Sequence, residues 1–300
     1  MDELYEELRP RAFAIAYRML GTVTEAEDVV QEGLLRLHRA IDGGERIESP
    51  GAYLSTVVTR LAIDELRSAR AKRERYVGDW LPEPLLTDDK DDPARHAEMA
   101  DSLSLAFLVL LESLSPEQRA VLLLRDVFDY PFSEVAQIIG KSEAASRQLA
   151  VRARRHVEEG RHRFSASKAE RDELAAKFFA AVEGGDLEGL ESLLAEDVVL
   201  QGDGGGKAPA LARPVYGRER ATRTLGAWLR AGERVGLTFT RAEVNGQPGA
   251  ITRDSEGHVV SVLALEIAEG RVQVVRGMVN PDKLGHIGPV ANLARLLRRG

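Results

Sequence analysis

Apolar residues recur at helical spacing through the first 75 positions. Leu4, Leu8, Phe13, Ala16, Tyr17 and Leu20 make one stripe, which stops at Gly21. Thr24 followed by Glu27 reads as a capping box that opens a second helix. Its apolar side is Val29, Val30, Leu34 and Leu37, and Asp42-Gly43-Gly44 ends it. Ser49-Pro50 starts a third, since proline suits the first helical position. Tyr53, Leu54, Val57, Val58, Leu61, Ile63 and Leu66 continue it. The pattern then fails. Residues 76–100 hold prolines and an acidic cluster, the composition of a linker. Residues 101–130 return to helix in two pieces, the second opened by Ser115-Pro116-Glu117-Gln118.

The stretch from Pro131 to Val157 predicts a short helix, a tight turn and a second helix. Pro131 precedes the first helix and Ser133 is its expected cap. Val135, Ala136, Ile138 and Ile139 supply its buried side, and Gly140 permits the turn. Ser142 caps the second helix, on which Ala145, Leu149, Ala153 and Val157 recur every four residues. Arg147, Gln148, Arg152, Arg154 and Arg155 are left on the other side. A helix-turn-helix presents side chains to the DNA major groove in this way. An arginine-rich solvated face has the same pattern, so the motif alone leaves both readings open.

From Asp172 the period changes. A long helix carries Leu174, Phe178, Phe179 and Val182 and ends at Gly184-Gly185, with residues 164–173 before it as a polar hinge. A short helix over Leu187 to Leu194 follows. Strand-like runs then cover Val198–Gln201, Leu237–Val244, Gly249–Thr252, Val259–Ile267 and Val272–Met278, with a helix from Arg218 to Ala231 after the first. Asn245-Gly246 and Glu269-Gly270 read as hairpin turns. The order predicts a helix-backed curved sheet, an α+β domain. The tail from Val290 to Arg299 reads as an apolar-basic helix.

The 300 residues suffice for two or three domains, and 44% of them are apolar. There is no cysteine, which excludes a disulfide framework and thiolate chemistry. No apolar run reaches membrane-spanning length, and the acidic, amphipathic start is unlike a signal peptide, so a cytoplasmic protein is expected. The net charge of −7 hides a pattern. Residues 46–75 carry seven basic and four acidic residues, residues 76–113 two and nine, residues 140–163 seven and three, and residues 164–300 eighteen of each. Two basic patches separated by an acidic segment suit DNA contact at two places.

Thr24 to Ala40, Ser49 to Arg70 and Leu114 to Val157 together carry a resemblance. Residues 10–75 and 101–163 resemble regions 2 and 4 of the small extracytoplasmic-function group of bacterial RNA polymerase sigma factors. The rest resembles a SnoaL-like, NTF2-like cone-shaped domain, an extension found in one subgroup. Its short motifs stand here as WLPEPL at Trp80–Leu85, DGGGK at Asp203–Lys207 and NPDKL at Asn280–Leu284. The implied architecture is multidomain: two all-α modules, then an α+β domain. Its boundaries are 1–75 for region 2, 76–100 for the linker, 101–163 for region 4 and 172–300 for the NTF2-like domain.

The resemblance also implies roles. Core polymerase would dock on Glu27, Asp28, Gln31 and Glu32. Tyr53, Arg60, Arg67 and Arg70, with the loop from Asp42 to Glu48, would handle the −10 element. Arg147, Gln148, Arg152, Arg154 and Arg155 would meet the −35 element. Trp80, Asp203, Lys207, Asn280 and Asp282 would link the last domain to the linker and regulate the chain in cis, Asp203 to Lys207 forming a flexible, exposed docking loop. Promoter DNA and polymerase are the expected partners, with a monomer, no cofactor, no metal and no membrane. Two other classes compete: a ligand-sensing helix-turn-helix regulator acting without polymerase, and a pocket enzyme. Small-molecule binding in the cone stays open. An enzyme would need an acid–base pair, for which Asp203 and His258 are the candidates.

Overall fold

The computed structural model describes residues 2–73, 76–87, 102–160 and 167–298, without the side chains of residues 2, 69–73 and 160. The chain divides into two compact units, Met1–Arg75 with Phe107–Arg161 and Tyr76–Ala106 with His162–Gly300. The linker segment thus clusters with the C-terminal residues. Its acidic part, residues 88–100, lies outside the described residues.

In the first unit α1 (Asp2–Leu20), α2 (Val23–Asp42) and α3 (Pro50–Arg73) pack on one another. Ile15, Tyr17, Leu20, Leu37, Leu54 and Val58 are buried. α4 (Leu105–Leu111) precedes α5 (Pro116–Leu122), which has the full Ser115/Gln118 capping box and runs into a π-helical turn at Leu123–Val127. α6 (Phe132–Ile139) and α7 (Glu143–Gly160) form the helix-turn-helix, with Gly140 left-handed between them at φ 66. Val121, Leu124, Tyr130, Val135, Ile138 and Ala150 make its core.

Four local readings are corrected. The sequence holds two overlapping Thr-x-x-Glu frames, and the earlier one sets the start of α2. Thr22 flanks the helix and its hydroxyl donates to Glu25 (2.7 Å). Glu27 instead accepts from Arg9 at 2.6 Å. Ser133 lies inside α6, because Pro131 takes the capping position and its carbonyl accepts from Val135 N at 3.0 Å. The buried stripe of α7 is Ser146, Ala150, Ala153 and Val157, while Ala145 and Leu149 are only half-buried. A 3.6-residue period drifts off a strict four-residue repeat. Ser142 does cap α7, accepting from Ala145 N at 3.2 Å. Finally, α8 (Lys168–Glu183) begins inside the stretch read as a hinge, since Ser167 and Glu170 form a capping box.

In the second unit α9 (Leu187–Leu193) and α10 (Arg218–Arg234) join α8 beside one sheet. The described strands are β1 (Leu194–Asp203), β2 (Val215–Tyr216), β3 (Thr238–Val244), β4 (Gln247–Arg253), β5 (Val259–Ala268) and β6 (Arg271–Met278). Their order is β2-β1-β6-β5-β4-β3, with only the β1–β6 pair parallel. The two-residue β2 is too short to leave a period in the sequence. Phe178, Phe179 and Val182 of α8 pack with Leu200, Leu225, Leu265 and Val275 on one face. Strand alternation sends Gln201, Asp203, Glu266 and Arg276 to the other. The tail is less helical than its pattern predicts. Val290 bridges to Val259 and α11 spans only Leu293–Leu296. Arg299 lies outside the described residues.

Candidate functional site

Two places carry unusual side chains. The first is the exposed side of α7. At about 100° per residue, Gln148, Arg152 and Arg155 fall opposite the buried stripe and Arg147 falls on its flank, and all four are exposed. The Arg147 guanidinium lies 4.6 Å from the centre of the Phe132 ring and donates to Glu143 at 2.9 Å, which holds it in place over α6. Arg155 pairs with Glu159 at 2.9 Å. Arg154 is placed differently. It is half-buried at the edge of the face and grips Asp126 through two hydrogen bonds, of 2.8 and 2.5 Å. That fork-on-carboxylate pair ties α7 to the π turn.

The second place is the far face of the sheet, where Tyr76–Thr87 runs from the end of β1 to the β3–β4 hairpin. Asp203 is fully buried. One carboxylate oxygen accepts from Tyr76 Oη (2.5 Å) and Gly205 N (3.1 Å). The other accepts from Leu81 N (2.9 Å) and Lys283 Nζ (2.7 Å). Lys283 also donates to the Leu81 carbonyl, and its ammonium lies 4.2 Å from the Trp80 ring centre and 4.9 Å from that of Tyr76. Asn280 donates to Tyr76 Oη at 2.7 Å. Burial, and then the bond to Asp203, push the Tyr76 phenol well above its ordinary pKa, so it stays a donor. Burial and the charge of Asp203 raise Asp79 as well.

The DGGGK segment is exposed only at Gly206 and Lys207, while its first half is packed in. Gly204 is buried, and its carbonyl accepts from Lys207 N and Ala208 N. A Cβ on Gly205 (φ 56) would meet Asn280 Nδ2 at 2.3 Å, so glycine is needed for close approach. Lys207 pairs with Asp282 at the rim. Asp203 and His258 have separate partners, since the His258 ring faces Asp254 and Glu256 in its own turn. Asp203 is committed to an ion pair and three further hydrogen bonds. Neither Lys283 nor Tyr76 stands out in the sequence by its own residue type. A buried lysine is rare, and only its place in NPDKL marked it.

At the other end of the dock Asn245, fully buried at φ 54, accepts from Leu85 N (2.8 Å) and donates to the Leu103 carbonyl (3.0 Å). Leu86 pairs with Val244, and Thr87 N donates to the Glu243 carbonyl at 3.0 Å. Asn245→Gly keeps the left-handed turn but deletes the side-chain bonds. It is expected to cost about 1–3 kcal/mol and to speed protease cleavage near Leu85. Cleavage at the wild-type rate would show that the backbone pairing alone holds the segment.

Residues 4–72 match the Sigma-70 region 2 family, residues 104–157 the Sigma-70 region 4 family and residues 175–279 the SnoaL-like domain family. The sigma factor SigJ of Mycobacterium tuberculosis is 40% identical over 289 residues, covering 93% of this chain and 91% of the relative. SigI of the same species is 32% identical over 272 residues and 90% of each chain. The crystal structure of SigJ superposes with a TM-score of 0.77 at 36% identity, over 97% of this chain and all of that one. This chain belongs to the extracytoplasmic-function RNA polymerase sigma factors. It carries regions 2 and 4 and a C-terminal SnoaL-like domain.

In the sigma factor, α2 presents Asp28 and Gln31 to solvent beside the half-buried Glu32, which pairs with Arg36 at 2.7 Å, and Glu27, which pairs with Arg9. Tyr53 is half-buried. Arg60 donates to the carbonyls of Ile138 (2.9 Å) and Gln137 (2.8 Å), where α6 ends. Arg67 reaches Glu117 at 2.6 Å and Asp64 at 3.1 Å. Two arginines of region 2 are thus engaged by region 4. The Arg70 side chain lies outside the described residues. Among the described residues no helix is long and apolar enough to cross a membrane, and no cluster of three metal-ligating side chains occurs.

Proposed function

We propose that this sigma factor guides core RNA polymerase to promoters with −10 and −35 elements, and that its SnoaL-like domain regulates it in cis through the docked linker. The observation that carries the reading is the exposed face of α7, where Arg147, Gln148, Arg152 and Arg155 stand away from a buried stripe on a capped helix of a helix-turn-helix. Arg147 and Gln148, near the N-terminus of α7, reach base edges or flanking phosphates; Arg152 and Arg155 take phosphates. Arg154, locked to Asp126, orients the helix. Region 2 supplies Tyr53, Arg60, Arg67 and Arg70 for the −10 strand. The bonds of Arg60 and Arg67 to region 4 must be exchanged for DNA. Glu27, Asp28, Gln31 and Glu32 offer carboxylates and an amide to a basic surface of polymerase.

The unit boundaries at residues 75, 100, 163 and 172 follow from the same reading. So do a cytoplasmic monomer without cofactor and a C-terminal domain with no enzymatic role. Asp203 supports the last point, because an ion-paired, fully buried carboxylate has no free lone pair for a substrate proton. Lys207–Asp282 at the rim and the buried Asn280 brace the turn that holds Asp203.

Reconstitution with core polymerase tests the reading. The purified chain is expected to bind core and to support run-off transcription from a cognate promoter. Arg147→Ala and Gln148→Ala are each expected to cost about 1–3 kcal/mol of promoter binding, the base-reading one with relaxed choice at one −35 position. Tight duplex binding without affinity for polymerase, or unchanged promoter choice in both variants, would contradict it.

A further inference from the structure

Val151 is out of place on α7 by its chemistry. It is 62% exposed, whereas Leu149 and Val157 of the same helix are half-buried and buried. At about 100° per residue it lies between Arg147 on one side and Gln148 and Arg155 on the other, in the middle of the face that turns away from the core. A β-branched residue at an exposed helical site adds nothing to the core and is a weaker helix former than alanine. Its surroundings are cationic, so an anionic duplex suits the face better than an apolar protein partner does. In the major groove one base feature is apolar, the C5-methyl of thymine, and small aliphatic side chains are its usual contact.

Resting on the sigma-factor reading, we propose that Val151 packs on the C5-methyl of a thymine in the −35 element and selects thymine there. The flanking Arg147 and Arg155 bring the duplex in by charge. Val151 then discriminates by contact with the methyl group, which cytosine lacks, and by offering nothing to the cytosine amino group, which loses its water.

The test compares full-length chain bound to core polymerase on a promoter it transcribes, with each −35 thymine replaced in turn by deoxyuridine. The base pairing is unchanged and only the methyl is lost. Wild-type holoenzyme is expected to lose about fourfold in affinity at one position, the worth of one buried methyl. Val151→Ala, which keeps a good helix former at an exposed site, is expected to lose about as much on the unmodified promoter. It should lose nothing further on deoxyuridine. If V151A stays as sensitive to deoxyuridine as wild type, or if no thymine matters to wild type, the assignment is overturned. Failure of wild-type protein to form any polymerase-dependent complex on unmodified DNA is a separate outcome. It would sink the sigma-factor reading and this proposal with it.

Discussion

Asp203→Asn is expected to lower the stability of the C-terminal unit by about 3–5 kcal/mol, because it leaves the Lys283 ammonium buried without its anion. Asp203 is fully buried and Lys283 is 5% exposed. Solvent cannot make up the loss, and the Trp80 and Tyr76 rings supply only part of a counter-charge. The amide also offers one acceptor oxygen where the carboxylate satisfies four donors: Tyr76, Leu81, Gly205 and Lys283. The double variant Asp203→Asn, Lys283→Met removes the orphaned charge and is expected to recover part of the stability. Calorimetry of the full chain, following the transition of the C-terminal unit, checks both. A cost below about 1 kcal/mol for D203N would mean the pair behaves as a surface ion pair.

The legibility of this site depended on which physics the sequence exposes. The helix-turn-helix showed early, because caps, a turn glycine and helical periodicity are local signals. Even so, the sequence leaves the stripe of α7 ambiguous by one residue. A repeat of four matches the sequence as well as 146-150-153-157 until the neighbouring helix chooses between them. The hairpin turns at Asn245-Gly246 and Glu269-Gly270 were legible for the same local reason, with all four residues at positive φ. The second job of Asn245, holding Leu85 across 160 positions, was not. Long-range polar contacts leave no period. Asp203 stands out in the sequence through its motif and as an acid–base candidate, and neither signal points to a buried ion pair. Glycine marks close approach as readily as flexibility, and here Gly205 sits against Asn280. Nothing local in the sequence marks Lys283 as buried, since lysine is ordinarily a surface residue. Nothing in the sequence of α3 marks Arg60 and Arg67 as engaged by Gln137, Ile138 and Glu117, and only the packed helices show it.

Shortening the chain after Lys283 is expected to raise transcription, whereas removing residues 172–300 is expected to reduce it strongly. The short cut spares Asp203 and Lys283. It deletes Leu284, which is fully buried, and His286, whose ring nitrogen lies 2.7 Å from the Pro84 carbonyl. The linker then keeps one anchor and loses another. Docking of Tyr76–Thr87 takes twelve residues out of the tether between α3 and α4, about 40 Å of extended chain. On the proposed function, releasing it is expected to let region 4 leave α3 and so free Arg60 and Arg67 from Ile138, Gln137 and Glu117. The long deletion removes the sheet altogether. Trp80, Leu81 and Leu85 then lose their cover, and an exposed apolar segment favours association over function. Substituting Asp203 or Trp80 is expected to resemble the short cut, since each removes one side of the same grip. Reporter output is measured for the full chain, both truncations and both point variants at matched protein levels. Five equal outputs would show that the SnoaL-like domain does not act on transcription through the linker, and would move the ligand-sensing reading of that domain forward.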